Sequence, residues 1–252
     1  MNETLEKKDE NKNQWVLLGM GYILLILIIG GYLNYTQPYH PESAVAPILW
    51  PILLWTSLYI PLLVFPTFAK WELREFGFSI NPAMIVISLF LSGFCAYMMQ
   101  STTTTWYGAL SEAFARTGEE IFFRGFLFLL LVKTFANKRR PWLWAIIGSS
   151  LAFMLVHTQI FQASVIAELG PDPVALVVAQ RLFNLFLGGV AFAALRHWTK
   201  SILPSSIAHS AGNGGIGTLP FVLVIYVLIT YWAYRRKENI VSGFEQGSKV
   251  TV

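Results

Sequence analysis

Charge is scarce in this 252-residue sequence: Asp, Glu, Lys and Arg together make up 13% of it, against 55% hydrophobic residues. A soluble domain carries about a quarter charged residues. That shortage, with long apolar runs and a mean hydropathy of +0.54, argues against a soluble globular protein and for a polytopic membrane protein. Cysteine is nearly absent. The single Cys95 sits in an apolar run, which excludes an internal disulfide and a cysteine-based metal site and predicts a buried free thiol. No soluble domain and no repeat of fixed period is visible. The net charge of +4 therefore reports membrane topology rather than nucleic-acid binding.

What is present is a series of apolar runs. Judged against the about 20 residues that a membrane helix needs, they give about eight candidate spans, near 15–34, 44–68, 80–99, 108–132, 142–166, 173–195, 201–216 and 217–234. The expected fold is all-α, a polytopic transmembrane helical bundle. It divides into a polar tail (1–14) expected to be disordered, one transmembrane domain (15–234) and a cytoplasmic tail (235–252). The first run outlasts a signal-peptide core, and Tyr32-Leu33-Asn34-Tyr35 offers no small-residue cleavage pattern, so it reads as a retained helix. The seventh is short and carries Pro204, Ser205, Ser206, His209 and Asn213; it needs neighbours to cover its polar face. Pro47, Pro51, Pro61 and Pro66 should kink the second span. Thr102 to Thr105 fits a short outer loop, and Gly188-Gly189 predicts close helix approach.

The basic residues test this division. One set of alternate loops receives Lys7, Lys8 and Lys12; Lys70 and Arg74; Lys133, Lys138, Arg139 and Arg140; Arg196 and Lys200; and Arg235, Arg236, Lys237 and Lys249. The opposite loops receive none, and Arg116, Arg124 and Arg181 fall inside spans. Cytoplasmic loops hold the Lys/Arg excess, so both termini are expected in the cytoplasm.

Ionisable groups at membrane depth are costly and mark sites or partners. Glu112, Arg116, Glu120 and Arg124 follow at intervals of four, one helical face of alternating sign. Glu119 lies about 100° around from Glu120. The ladder pairs Glu120 with Arg124 and leaves Glu119 as the acid free to face a cavity. Phe153 and His157 share a face at i, i+4, as do His209 and Asn213. Each group alone also fits a purely structural role: an ion-pair network, a hydrogen-bonded histidine, or interhelical glue. Depth joins them. Counted from the cytoplasmic ends, Glu119 and His157 lie about 20 Å in and His209 to Asn213 about 10–20 Å. A carboxylate facing a neutral imidazole holds and deprotonates water; a second imidazole and an amide supply donors to an oxyanion. No serine or cysteine has an evident base, which favours attack by activated water.

Three segments carry a family resemblance. Glu119-Glu120-Ile-Phe-Phe-Arg124, Phe153-Met-Leu-Val-His157 and His209-Ser-Ala-Gly-Asn213 resemble the EExxxR, FxxxH and HxxxN/D motifs of the CAAX prenyl endopeptidase and bacteriocin-processing family. The flanks are similar as well, from Phe123 to Leu127 and at Gly188-Gly189-Val190 with Phe192. The resemblance covers about 107–216. It implies a multi-helix membrane fold and intramembrane glutamic proteolysis, with Glu119 activating water assisted by His157, His209 and Asn213 forming the oxyanion hole, and Glu120 and Arg124 in support. No cofactor is implied. The implied partners are the lipid bilayer and a membrane-associated protein or peptide substrate, lipidated or not, with CAAX-like, C-terminal or leader processing as the reaction. The short chain points to the plasma membrane of a prokaryote.

The same residues also fit other classes. Glu119, His157 and His209 could ligate zinc in a membrane metalloprotease, though no HExxH helix is present. A non-catalytic scaffold or bacteriocin-immunity protein would use the polar set to bind a partner. A proton-relaying transporter would be expected to show an inverted repeat.

Overall fold

The computed structural model describes residues 14–25, 46–98, 105–157 and 174–248. Among them every regular element is helical. The helices are α1 (Gln14–Leu25), α2 (Ala46–Phe68), α3 (Pro82–Met98), α4 (Trp106–Glu120), a π-helical stretch (Ile121–Leu127), α5 (Phe128–Thr134), α6 (Pro141–Val156), α7 (Val174–Thr199), α8 (Leu203–Gly214), a short 3₁₀ turn (Ile216–Thr218) and α9 (Leu219–Ser248). The tail 1–13, the remainder of the first apolar run and the Thr102–Thr104 part of the threonine loop lie outside the described residues.

Local chemistry sets several boundaries. Thr105 caps α4 by accepting from the Gly108 amide, and Asn81 caps α3 by accepting from the Met84 amide at 2.9 Å, each satisfying a donor with no intrahelical partner. Pro141 opens α6 in the first turn, where its missing N–H costs nothing. Gly215, at φ 76°, ends α8 in a conformation that a side chain would disfavour. The backbone of α2 stays helical through all four of its prolines.

Two helices among the described residues are long and apolar enough to cross a membrane outright, Leu176–Thr199 and Ile216–Arg235. Only 17% and 22% of those windows are buried, so neither is the shielded core helix of a soluble protein. Polarity across the bundle is inverted. Arg124 and Glu120 are fully buried, whereas Leu89, Phe90, Tyr97, Leu176 and Val227 are exposed. An outward apolar surface with ions inside suits a lipid surround.

Two of the expected spans are described only in part or are short. The fifth, expected over 142–166, is helical to Val156 with His157 as its C-cap residue, and 158–166 lies outside the described residues. The seventh, α8, has 12 residues and rises about 18 Å, short of the about 30 Å of hydrocarbon. It sits among α3, α4, α7 and α9, and these neighbours bury Ser205, Ser206, His209 and Ser210. α9 stays helical to Ser248, through much of the segment read as a tail.

The basic loops meet at one end. Lys133 Nζ pairs with Glu75 at 2.9 Å, and Arg196 donates to the Glu75 carbonyl at 2.5 Å. Ser79 donates to the Lys200 carbonyl (2.6 Å) and Asn81 to that of Thr199 (2.7 Å). The Ile202 amide reaches the Gly77 carbonyl. Tyr226 of α9 closes this clasp on Ser201 Oγ (2.8 Å) and the Ser79 carbonyl (3.0 Å). The loops that share the Lys/Arg excess are therefore joined in space.

Glycines set the close approaches. A Cβ on Gly189 would stand 3.0–3.3 Å from Ser150, locking α7 against α6, while Gly188 faces open space; one residue of the pair makes the predicted contact. A Cβ on Gly125 would meet the Phe76 carbonyl oxygen at 2.9 Å. Through this gap the 69–81 loop packs Phe76 and Trp71 onto Phe126 and Phe65, directly behind the π-helical stretch.

Candidate active site

The two acids close α4, and the chain then widens into seven π-helical residues, all buried. Such widening is uncommon and recurs at functional sites. It carries Arg124 in the buried interior, where its Nη1 lies 3.4 Å from Glu120 Oε1. The pair is in ion-pair contact but beyond ordinary hydrogen-bond length. Aromatic faces cover the rest of the guanidinium: the Phe153 ring centroid is 4.2 Å from Arg124 Cζ, that of Phe192 5.4 Å and that of Phe123 5.7 Å. A desolvated cation over an aromatic face gains about 2 kcal/mol or more.

α8 delivers His209 between the acids. Its Nδ1 is 2.8 Å from Glu120 Oε1, where only an N–H can bridge to an ionised carboxylate. Its Nε2 faces Glu119 Oε2 at 3.5 Å. The ring also contacts Phe153 at 5.8 Å and Phe192 at 5.4 Å between centroids. Phe153 touches His157 as well, at 4.5 Å, so one aromatic ring spaces both histidines and covers Arg124. His157 Nδ1 lies 2.7 Å from the Phe153 carbonyl. A carbonyl accepts only, so Nδ1 carries a proton; in the neutral ring Nε2 then keeps its lone pair. His157 lies within electrostatic reach of Glu119, His209 and Arg116.

The four-residue ladder keeps its outer pairs, Glu112 with Arg116 and Glu120 with Arg124, but does not leave Glu119 free. Arg116 does join Glu112, Nε to Oε2 at 3.0 Å, but its Nη1 takes Glu119 Oε1 at 2.6 Å instead of Glu120. Glu119 is thus half engaged rather than free. The reason lies 89 residues away: His209 and Arg124 both converge on Glu120 Oε1, which turns that carboxylate inward and leaves Arg116 to the acid beside it. Glu119 Oε2 remains buried with no hydrogen-bond partner among the described residues.

The structure therefore brings Glu119, Glu120, Arg124 and His209 into direct contact and adds His157 through Phe153. Asn213 stands apart. It is exposed, and its amide donates to the His209 carbonyl, one turn back, at 3.0 Å. Among the described residues no three His, Cys, Asp or Glu side chains are grouped to hold a metal ion. The aromatic cover by Phe153 and Phe192 was not assigned a role from sequence, although Phe153 heads its motif and Phe192 stands in a matching flank.

Comparison with known proteins gives one match. The family model described as type II CAAX prenyl endopeptidase Rce1-like matches residues 101–215, a segment that contains all three motifs and every residue of the polar cluster. No curated protein and no solved structure matches the chain. The family is one of membrane-embedded proteases. With its EExxxR, FxxxH and HxxxN motifs complete and their leading residues gathered around His209, the 101–215 segment is similar to the type II CAAX prenyl endopeptidase Rce1-like family.

Proposed function

We propose that the chain is a multi-pass intramembrane glutamic protease that hydrolyses a peptide bond in a membrane-associated protein or peptide, by direct attack of water and without a metal. One observation carries this reading: Glu119 is buried with one carboxylate oxygen held by Arg116 and the other, facing His209, without a hydrogen-bond partner among the described residues. A buried carboxylate oxygen in that state is suited to accept a proton from water.

In this reading Glu119 Oε2 and the lone pair on His157 Nε2 hold the water and take its proton. The hydroxide adds to the scissile carbonyl. The resulting oxyanion receives hydrogen bonds from His209 Nε2–H and from Asn213, once the latter's amide releases the His209 carbonyl. Glu119 returns the proton to the leaving amine, so that water is split between the two products. For His209 to donate from Nε2 while Nδ1–H is held by Glu120, its ring carries both protons. Its two nitrogens face the carboxylates of Glu120 and Glu119. Glu120 and Arg124 support the site rather than react.

The family points to prenylated CAAX-type substrates, with C-terminal or leader processing of other membrane peptides as the wider class. The alternation of basic loops supports about eight spans with both termini in the cytoplasm, as in the plasma membrane of a prokaryote. The test is cleavage of a fluorogenic farnesylated CAAX peptide by purified full-length protein in detergent. Glu119→Ala and His157→Ala are each expected to abolish cleavage. Retention of activity in both would overturn the assignment in favour of a non-catalytic membrane scaffold or immunity protein.

A further inference from the structure

Arg116 lies outside all three motifs, three residues before the first acid of the first one. Its guanidinium nevertheless spans two carboxylates of α4. Nε is 3.0 Å from Glu112 Oε2, one turn toward the N-terminus, and Nη1 is 2.6 Å from Glu119 Oε1, one turn toward the C-terminus. A guanidinium is planar and presents its donors at fixed angles, so two acids bound through different nitrogens fix its plane. The exposures form a gradient. The Glu112 side chain is 35% exposed, that of Arg116 20% and that of Glu119 7%. Arg116 thus sits at the rim of the cluster, closing it over Glu119.

We propose that Arg116 is a positioning residue for the Glu119 carboxylate, and that Glu112 in turn holds Arg116; this rests on the reading of Glu119 as the acid that activates water. By occupying Oε1, Arg116 leaves Oε2 as the oxygen turned toward His209 Nε2, 3.5 Å away. It also compensates a buried negative charge that Arg124 does not directly pair, since that guanidinium contacts Glu120. Without Arg116 the Glu119 side chain loses the donor that holds Oε1, and the contact with His209 at 3.5 Å is left alone to set its rotation. Misplacement of a reacting group by about 1 Å costs up to about 100-fold in rate. Because the effect is on orientation rather than on substrate contact, it falls on kcat and leaves KM unchanged. Lysine at 116 restores a cation but reaches one acid at a time, so it recovers part of the loss.

The experiment compares wild type, Glu119→Gln, Arg116→Gln, Arg116→Lys, Glu112→Gln and the Arg116→Gln/Glu112→Gln double variant, as full-length purified protein with the farnesylated CAAX peptide. Expected are a kcat lower by about 100-fold in Arg116→Gln, a recovery of about tenfold in Arg116→Lys and a loss of about tenfold in Glu112→Gln. The double variant should be no worse than Arg116→Gln alone, because both act through one contact. Wild-type kcat in Arg116→Gln, or losses that multiply in the double variant, overturns the proposal while an inactive Glu119→Gln keeps the proteolytic reading intact. If Arg116→Gln does not fold, Glu112→Gln decides alone: unchanged kcat overturns the proposal. A structure of a folded Arg116 variant gives a readout independent of cleavage. Glu119 Oε2 is expected to have left His209; an unmoved carboxylate overturns the positioning role whether or not the peptide is cut.

Discussion

His209 Nδ1 stands 2.8 Å from Glu120 Oε1, a bond that ties α8 to α4 across 89 residues of sequence. The same carboxylate oxygen carries Arg124 at 3.4 Å, so Glu120 is the shared anchor of the two motifs it joins. Neutralising it strands a fully buried guanidinium, and breaking a buried pair in that way costs about 3–5 kcal/mol. Glu120→Gln is therefore expected to lower thermal stability markedly in detergent, whereas Glu119→Gln should abolish cleavage with a much smaller loss. Parallel melting curves and peptide assays on the two variants separate support from chemistry; equal stability losses would contradict the division.

Phe153 covers Arg124 and spaces both histidines. Truncation to alanine removes the cation–π contact and opens a cavity, for a loss of about 3–5 kcal/mol. Phe153→Leu fills most of the volume without an aromatic face. It should be more stable than Phe153→Ala yet remain impaired in kcat, because His157 and His209 lose their common spacer. A leucine variant with wild-type kcat would reduce the ring to filler.

The glycine pair on α7 offers a controlled comparison. Gly189→Ala must push Ser150 aside, and overpacking of this kind costs about 1–3 kcal/mol; Gly188→Ala meets nothing within 4 Å. Melting temperatures of the two single variants should differ in that order. Gly125→Ala, whose Cβ would press a backbone carbonyl rather than a flexible side chain, should be the worst of the three.

Topology is testable through Cys95, the only cysteine. With Cys95→Ala as background, cysteine placed at Arg139 in the basic loop between α5 and α6 should react with a membrane-impermeant maleimide in inverted vesicles and not in intact cells. The reverse pattern would invert the proposed orientation.

Metal independence is checked by the peptide assay in excess chelator, with rates expected to be unchanged. Loss of activity that added Zn²⁺ restores would return His157, His209 and Glu119 to the role of ligands.

The helices among the described residues were legible in the sequence because each lies on an apolar run bounded by polar or basic residues. The residues that meet around His209 are among those that i, i+4 spacing and the motifs single out, but Asn213, singled out with them, stands apart. The partner choices were not. From Arg116, an acid at i+3 and another at i+4 are equally reachable, and the decision between Glu119 and Glu120 is made by His209 from another helix. The end of α6 at Val156 was hidden for a related reason: the apolar run continues past it, and the backbone stops where His157 turns its ring to the Phe153 carbonyl. Nothing in local composition announces seven π-helical residues after Glu120. They accompany Phe76 pressing its carbonyl against Gly125, a tertiary contact.

His209 has only two ring nitrogens, and both face acids on the same helix, at 2.8 and 3.5 Å. The imidazole therefore acts as a gauge of the separation between α4 and α8. Widening that gap by about 1 Å would carry the Glu120 contact past hydrogen-bond range and loosen the longer Glu119 contact with it. One small displacement of a twelve-residue helix would then dismantle the cluster as a unit, without any covalent change.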